Sequence, residues 1–231
     1  MFTIGELDHL VYVWKVRVMK QGLFFGIYLK LRDEIVRNLL KPGDKLGEEQ
    51  LCERFHVSRS PIRQALQALH QVGLVEIRDG VGTFVTTIDE NDVRNAYEIR
   101  CLFEKYAARN SINQITDEEI RKQEQTFLKI RDRLEKGGYG SSFEDMIRAD
   151  WELHDLIMKY SGNPMLEETA EKVTLLLRRC QFMYITQYNR ATKDHLDIVR
   201  SLKERDYEGL CSVLDRHLKY RPLEKDVYNT N

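Results

Sequence analysis

Apolar residues recur along this chain with two different periods, and the changes of period divide it. Ile27, Leu31, Ile35 and Leu39 stand four apart, the spacing of a single helix face, and predict a helix over 27–40. Leu51 and Phe55 repeat that spacing within 48–55, and Ile62, Leu66 and Leu69 carry it into a helix beginning near Arg59. Ser58 stands at its N-cap, and Pro61 lies in the first turn, where a missing N–H costs nothing. Gly73 ends it as a residue that accepts positive φ. The period then drops to two. Val75-Glu76-Ile77-Arg78 and Thr83-Phe84-Val85 alternate about Asp79-Gly80, which predicts a hairpin.

After Thr87 the pattern returns to helix and stays there to about Leu218. Asp89 or Asn91 caps a helix over 93–110, Thr116-Asp117-Glu118-Glu119 caps one reaching Lys136, and Gly137, Gly138 and Gly140 break the chain. A helix from Ser142, capped to Asp145, runs to Tyr160. Asn163-Pro164 then restarts a long one to about Tyr188, and two shorter ones begin near Thr192 and Asp206. The fold class expected is mainly α: an N-terminal winged helix-turn-helix over 25–88, then an all-helical bundle of about six helices over 89–231. Residues 1–24 read as an N-terminal extension. Lys15 and Arg17 interrupt its apolar run and no small-residue cleavage site follows, so it reads as neither signal peptide nor membrane span. Residues 1–18 stand as an extension or an upstream start, which N-terminal sequencing decides.

Charge narrows the picture. Thirty-six basic residues against 37 acidic ones leave a net charge of −1, so affinity for a polyanion has to come from a local patch. One is legible: no acidic residue stands between Glu53 and Glu76, while Arg54, Arg59, Arg63, His56 and His70 do. Such a run suits a surface facing phosphates. Lys41-Pro42-Gly43-Asp44-Lys45-Leu46, Glu48, Leu51 and the run from Val57 to Leu66, with the hairpin behind it, resemble the DNA-binding domain of GntR-family transcription regulators. Cys52, His56 and Gln64 depart from the commoner pattern and bear on operator sequence. The resemblance implies that Arg59 and Arg63 reach guanine edges or phosphates, that Ser58 and Ser60 donate to phosphates, and that Gly80 and Gly82 let the wing approach the duplex closely. It also implies a homodimer on two-fold operator DNA.

Cys52, Cys101, Cys180 and Cys211 stand far apart with no C-x-x-C pair. They read as reduced, mostly buried thiols of a cytoplasmic protein. His154, His195 and His217 fall on three different predicted helices of the second domain, His195 in the first turn of its own. Asp150 lies one turn before His154, so the two point the same way. Three imidazoles and a carboxylate suit a borderline divalent ion, zinc or nickel. The bland alternative is packed or solvent-tipped histidines.

Asp150-Trp151-Glu152-Leu153-His154, Ser161-Gly162-Asn163, Asp194-His195-Leu196-Asp197-Ile198 and Asp206 to Leu218 resemble the ordered signatures of the FCD effector domain of the FadR subfamily. The resemblance implies that Asp150, His154, His195 and His217 are metal ligands. It also implies that Arg100, in Glu98-Ile99-Arg100, holds the carboxylate of a small organic-acid effector. Leu153, Asp194 and Gly209 depart from the usual residues without touching those ligands. Arg100 reads equally as a partner of Glu104 on a solvated helix face.

The function expected is a transcription regulator, a repressor, controlled by a carboxylate bound at that metal. Two alternatives stand beside it: a metal-dependent hydrolase fused to a DNA-binding head, and a constitutive DNA-binding dimer without effector. The chain carries no H-E-x-x-H, no serine elbow and no Gly-rich phosphate loop, and Glu152 should point away from Asp150. A non-enzyme is therefore expected.

Overall fold

Where Lys41-Pro42-Gly43 turns the chain, backbone geometry rather than hydrophobicity sets the helix end. In the computed structural model, which describes residues 22–137, 139–185, 188–221 and 224–225, α1 runs Leu23–Val36. It stops short of the predicted Leu40 because Asn38 takes φ 57° and the Leu39 and Leu40 amides return to the Glu34 carbonyl. Leu39, counted in the buried stripe, is 67% exposed, while Ile27, Leu31 and Ile35 are buried as predicted. The extension expected over 1–24 lies almost wholly outside the described residues.

The described residues divide into two compact units. The first comprises 22–93 with Glu171–Tyr184 and Lys225. In it, α1 and α2 (Glu48–Phe55) pack against α3 (Arg59–Gln71). Ile62, Ala65 and Leu69 on α3 are fully buried. Ser58 takes the extended N-cap geometry but its hydroxyl makes no capping bond. Gly73, at φ 77°, closes the helix as the Leu74 amide returns to the Leu69 carbonyl. The strands β1 (Lys45–Leu46), β2 (Val75–Arg78) and β3 (Gly82–Val85) form an antiparallel wing in the order β1-β3-β2, with Val75 opposite Val85 and Arg78 opposite Gly82. Gly82 sits at φ 135°, a backbone conformation that calls for glycine, with the flexible end of the Lys45 side chain against it.

The second unit is Arg94–Ala170 with Ile185–Glu224. After the wing the described residues form six helices, α4 (Glu90–Gln114), α5 (Asp117–Glu135), α6 (Tyr139–Lys159), α7 (Pro164–Met183), α8 (Tyr188–Glu204) and α9 (Tyr207–His217); the part of α7 from Glu171 onward belongs to the first unit. Two short strands, Tyr184–Ile185 and Glu224–Lys225, pair with each other. The unit's core, including Phe127, Ile130, Leu153, Ile157, Ile198 and Leu214, is built from α4, α5, α6, α8 and α9.

Two expected caps form and Asp206 adds a third, whereas Ser142, expected to cap its helix, lies inside α6. Thr116 and Glu119 form a reciprocal capping box at α5, Asn163 accepts the Leu166 amide behind Pro164, and Asp206 accepts the Gly209 amide. A Cβ at Gly209 would fall 2.1 Å from Asp206 Oδ2, which explains a glycine there. Helix ends differ more. α4 starts at Glu90 and runs on to Gln114, α6 starts at Tyr139 rather than Ser142, and α8 starts at Tyr188 rather than Thr192. His195 therefore lies two turns into its helix, not in the first. Gly138 lies outside the described residues, and Gly140 is inside α6. Among the described residues no helix is long and apolar enough to cross a membrane.

Candidate functional site

The buried stripe of α4 sets one wall of a polar centre inside the second unit. Glu104, Ala107, Ala108, Ser111 and Ile112 are buried on one face of it, so Arg100, one turn before Glu104, points inward too. Asp150 and His154 come from α6, His195 from α8, and His217 is the last residue of α9. Phe127 on α5 stacks on the His195 ring at 4.6 Å between centroids and holds its plane.

These side chains converge. Asp150 Oδ1 lies 2.9 Å from His195 Nε2, 3.7 Å from His154 Nε2 and 3.8 Å from His217 Nε2. One ligand atom from each of the four residues falls within 4.8 Å of the others. The His154 and His217 Nε2 atoms are 3.2 Å apart, a separation at which two lone pairs repel unless a proton or a cation lies between them. On their far sides, His154 Nδ1 meets Glu104 Oε2 at 2.5 Å and His217 Nδ1 faces Asp194 at 3.8 Å. His195 Nδ1 is buried with no hydrogen-bond partner among the described residues.

Electrostatics favours ligand-ready forms at Asp150, His154 and His195. Burial pushes the Asp150 carboxyl up, but the hydrogen bond with His195 and the nearby His217 and His154 imidazoles overcome it and hold it well below the usual range. Burial pushes His195 down to about 4, with the His217 charge adding to it. Burial likewise lowers His154 despite Glu104. At His217 burial is outweighed by Asp150 and Asp194, which raise it. A carboxylate with two imidazoles kept neutral near pH 7 is the protonation state a divalent ion requires, and the N₃O donor set fits zinc or nickel. The described residues thus fit a metal. The expected four ligands come together from three helices, which the bland reading of separate histidines does not provide.

Arg100 points into the centre and also pairs with Glu104, though not on the solvated face expected for that pair. Its Nε donates to Glu104 Oε1 at 2.6 Å, but the pair is buried, not solvated, with side chains 13% and 2% exposed. Its Nη2 lies 3.9 Å from Asp150 Oδ2. Glu104 itself, read from sequence only as a partner for Arg100, bonds His154 as well. Its spacing from Ala107, Ala108 and Ile112 was the signal that it faces inward. Glu152 turns away from the centre and lines a recess of about 280 Å³ with Lys122, Lys129, Arg133 and Arg148.

In the first unit Ser58, Arg59, Ser60, Arg63 and Gly80 are exposed and Gly82 is half-buried. The basic run is not free of acid in space. Arg59 Nη2 meets Glu49 at 2.6 Å and Arg63 Nε meets Glu48 at 3.0 Å, both from the first turn of α2, while Arg54 pairs with Glu34. His70 Nδ1 lies 3.0 Å from the Val75 carbonyl. Of the four thiols, Cys180 and Cys211 are buried, Cys52 and Cys101 half-buried, and all are free.

Comparison with known proteins agrees with both halves of this description. Residues 26–85 match the family described as bacterial regulatory proteins, gntR family, and residues 95–220 match the FCD domain. The chain is 30% identical over 196 residues to the HTH-type transcriptional repressor RspR of Escherichia coli (strain K12), covering 84% of each. It is 29% identical over 202 residues to the HTH-type transcriptional regulator YdhC of Bacillus subtilis (strain 168), covering 85% of this chain and 88% of the relative. Its fold is similar to that of E. coli McbR/YncC, with a TM-score of 0.69 at 20% identity over 85% of this chain and 93% of the other. The chain belongs to the gntR family of DNA-binding transcription regulators and carries an FCD domain behind its winged helix-turn-helix.

Proposed function

We propose that this protein is a ligand-controlled repressor. A divalent metal, zinc or nickel, held by Asp150, His154, His195 and His217, takes part in binding a small organic acid, and the bound acid changes affinity for operator DNA. The observation that carries the reading is the convergence of three Nε2 atoms on Asp150 Oδ1. Bound there, the metal supplies an electrophile for a carboxylate, and Arg100, pointing into the same centre, supplies a guanidinium for a second contact. An acid that favours one arrangement of the protein over another controls DNA binding with no further chemistry. The repressor sense is carried over from the name of the E. coli relative, and a cytoplasmic location goes with the proposed operator binding.

Ser58, Arg59, Ser60, Arg63 and the wing glycines Gly80 and Gly82 form the DNA-reading set in this proposal. The acting species is a homodimer on two half-sites. Its second copy docks on the outer face of α4, where Ile99, Leu102 and Tyr106 are 39%, 68% and 50% exposed. Glu98 and Arg109 flank that stripe at opposite ends and are exposed, so an antiparallel pairing of two α4 helices sets each acid against a base across the two-fold axis.

The test is elemental analysis of the purified protein and of His154→Ala, followed by operator titration with a panel of hydroxy and sugar acids before and after chelation. Near-stoichiometric zinc or nickel that falls in His154→Ala is expected, with an acid response that chelation abolishes. A wild type that neither carries nor takes up metal would overturn the metal reading. A metal-loaded protein that ignores every acid would favour constitutive DNA binding.

A further inference from the structure

Glu104 is a carboxylate of the centre that bonds both Arg100 and one of the four converging ligand residues. Its Oε1 accepts from Arg100 Nε at 2.6 Å and its Oε2 meets His154 Nδ1 at 2.5 Å. It is 1% exposed, so both oxygens are shielded from bulk solvent. A carboxylate fixed by a guanidinium only accepts, and His154 Nδ1 must therefore carry the proton. That leaves the His154 Nε2 lone pair aimed at Asp150 Oδ1 and at His217 Nε2. The ring lies 5.1 Å from that of His217 at an interplanar angle of 11°.

We propose that Glu104 is a positioning residue: by accepting the Nδ1 proton it holds His154 in the tautomer and orientation that present Nε2 as a metal ligand, and it ties that ligand to Arg100. Outer carboxylates act on metal-bound imidazoles in this way by fixing the ring and raising its basicity. His154 is singled out among the three histidines. Among the described residues His195 Nδ1 has no partner, and the carboxylate facing His217 Nδ1 stands farther off, at 3.8 Å. The inference rests on the metal reading above. It also gives Arg100 a second task, because a ligand carboxylate that draws the guanidinium off Glu104 alters the partner of a metal ligand.

The experiment uses the full chain and zinc alone. Zinc affinity is measured by competition with a chromophoric chelator for the wild type, Glu104→Gln and Glu104→Asp, with folding checked by circular dichroism. Ring ¹⁵N NMR reads the His154 tautomer in the metal-free proteins. Glu104→Gln should weaken zinc by about 10–100-fold and mix the tautomers. Glu104→Asp keeps the charge against Arg100 but is one methylene short of His154, and should weaken zinc as well. Should Glu104→Gln not fold, Glu104→Asp decides alone. Wild-type zinc affinity and an unchanged tautomer in the folded variants would overturn the inference while leaving the metal centre standing. A wild type that takes up no zinc would overturn the centre itself, and the inference with it, before any variant is compared.

Discussion

Arg59 and Arg63 each meet an acid on the helix before them, Glu49 and Glu48, and that pairing governs what substitution there should do. The pairs are exposed, with Arg59 59% and Glu49 80% accessible, so each contributes only about 0–1 kcal/mol. DNA phosphates displace the acid readily, yet Glu49 remains a negative charge beside the polyanion. Glu49→Gln should therefore tighten DNA binding about two- to fivefold, equivalent to roughly 0.4–1 kcal/mol. Arg59→Ala should weaken it and reduce the slope of log affinity against log salt by about one. Fluorescence anisotropy over a salt series reads both, and an unchanged slope in Arg59→Ala would remove that residue from the reading face. The 49–59 pair was invisible in the chain because ten positions separate its members. Only the turn between α2 and α3 brings them together.

At the scale of elements, caps were more legible than ends. A cap is settled within one turn: the Thr116 hydroxyl accepts the Glu119 amide at 3.2 Å and Glu119 accepts the Thr116 amide at 3.0 Å. Thr116→Ala should cost about 1 kcal/mol in urea unfolding. At Glu119 burial raises the carboxyl pKa, but bonds from Thr116 and Tyr160 outweigh it and bring it below the ordinary value. Its contribution is thus complete above the unfolded carboxyl's pKa and is lost as pH falls through the folded one. The cost of Thr116→Ala should shrink correspondingly in acid, and a cost constant with pH would break the link to the box. Helix ends obey wider demands. α4 continues to Gln114 because Ser111, Ile112 and Ile115 at its end are buried, whereas α1 gives up Leu39 to a left-handed Asn38 before the Pro42 turn.

For the whole molecule, the testable property is assembly. Leu102 is the most exposed residue of the α4 stripe, and a charge at the centre of a two-fold contact meets its own copy. Leu102→Glu should shift sedimentation from dimer to monomer at micromolar protein and weaken binding to a two-half-site operator. Metal content should stay unchanged, since Leu102 points away from the centre. A dimer that survives this substitution at all concentrations would place the contact on another face.

Read as a string, the chain determined its two architectures, the order of its elements and the residue types of its centre. Periodicity, caps and turn glycines depend on neighbours within a few positions, and Asp150 with His154 is a one-turn relation inside α6. Tertiary structure alone decided which side chains share space. Glu104 reaches His154 across 50 positions and His195 reaches Asp150 across 45, and Glu48 lies against Arg63 across 15. Such contacts depend on how each helix is rotated and where it crosses its neighbour. Packing of the entire core sets those quantities, and no local pattern encodes them.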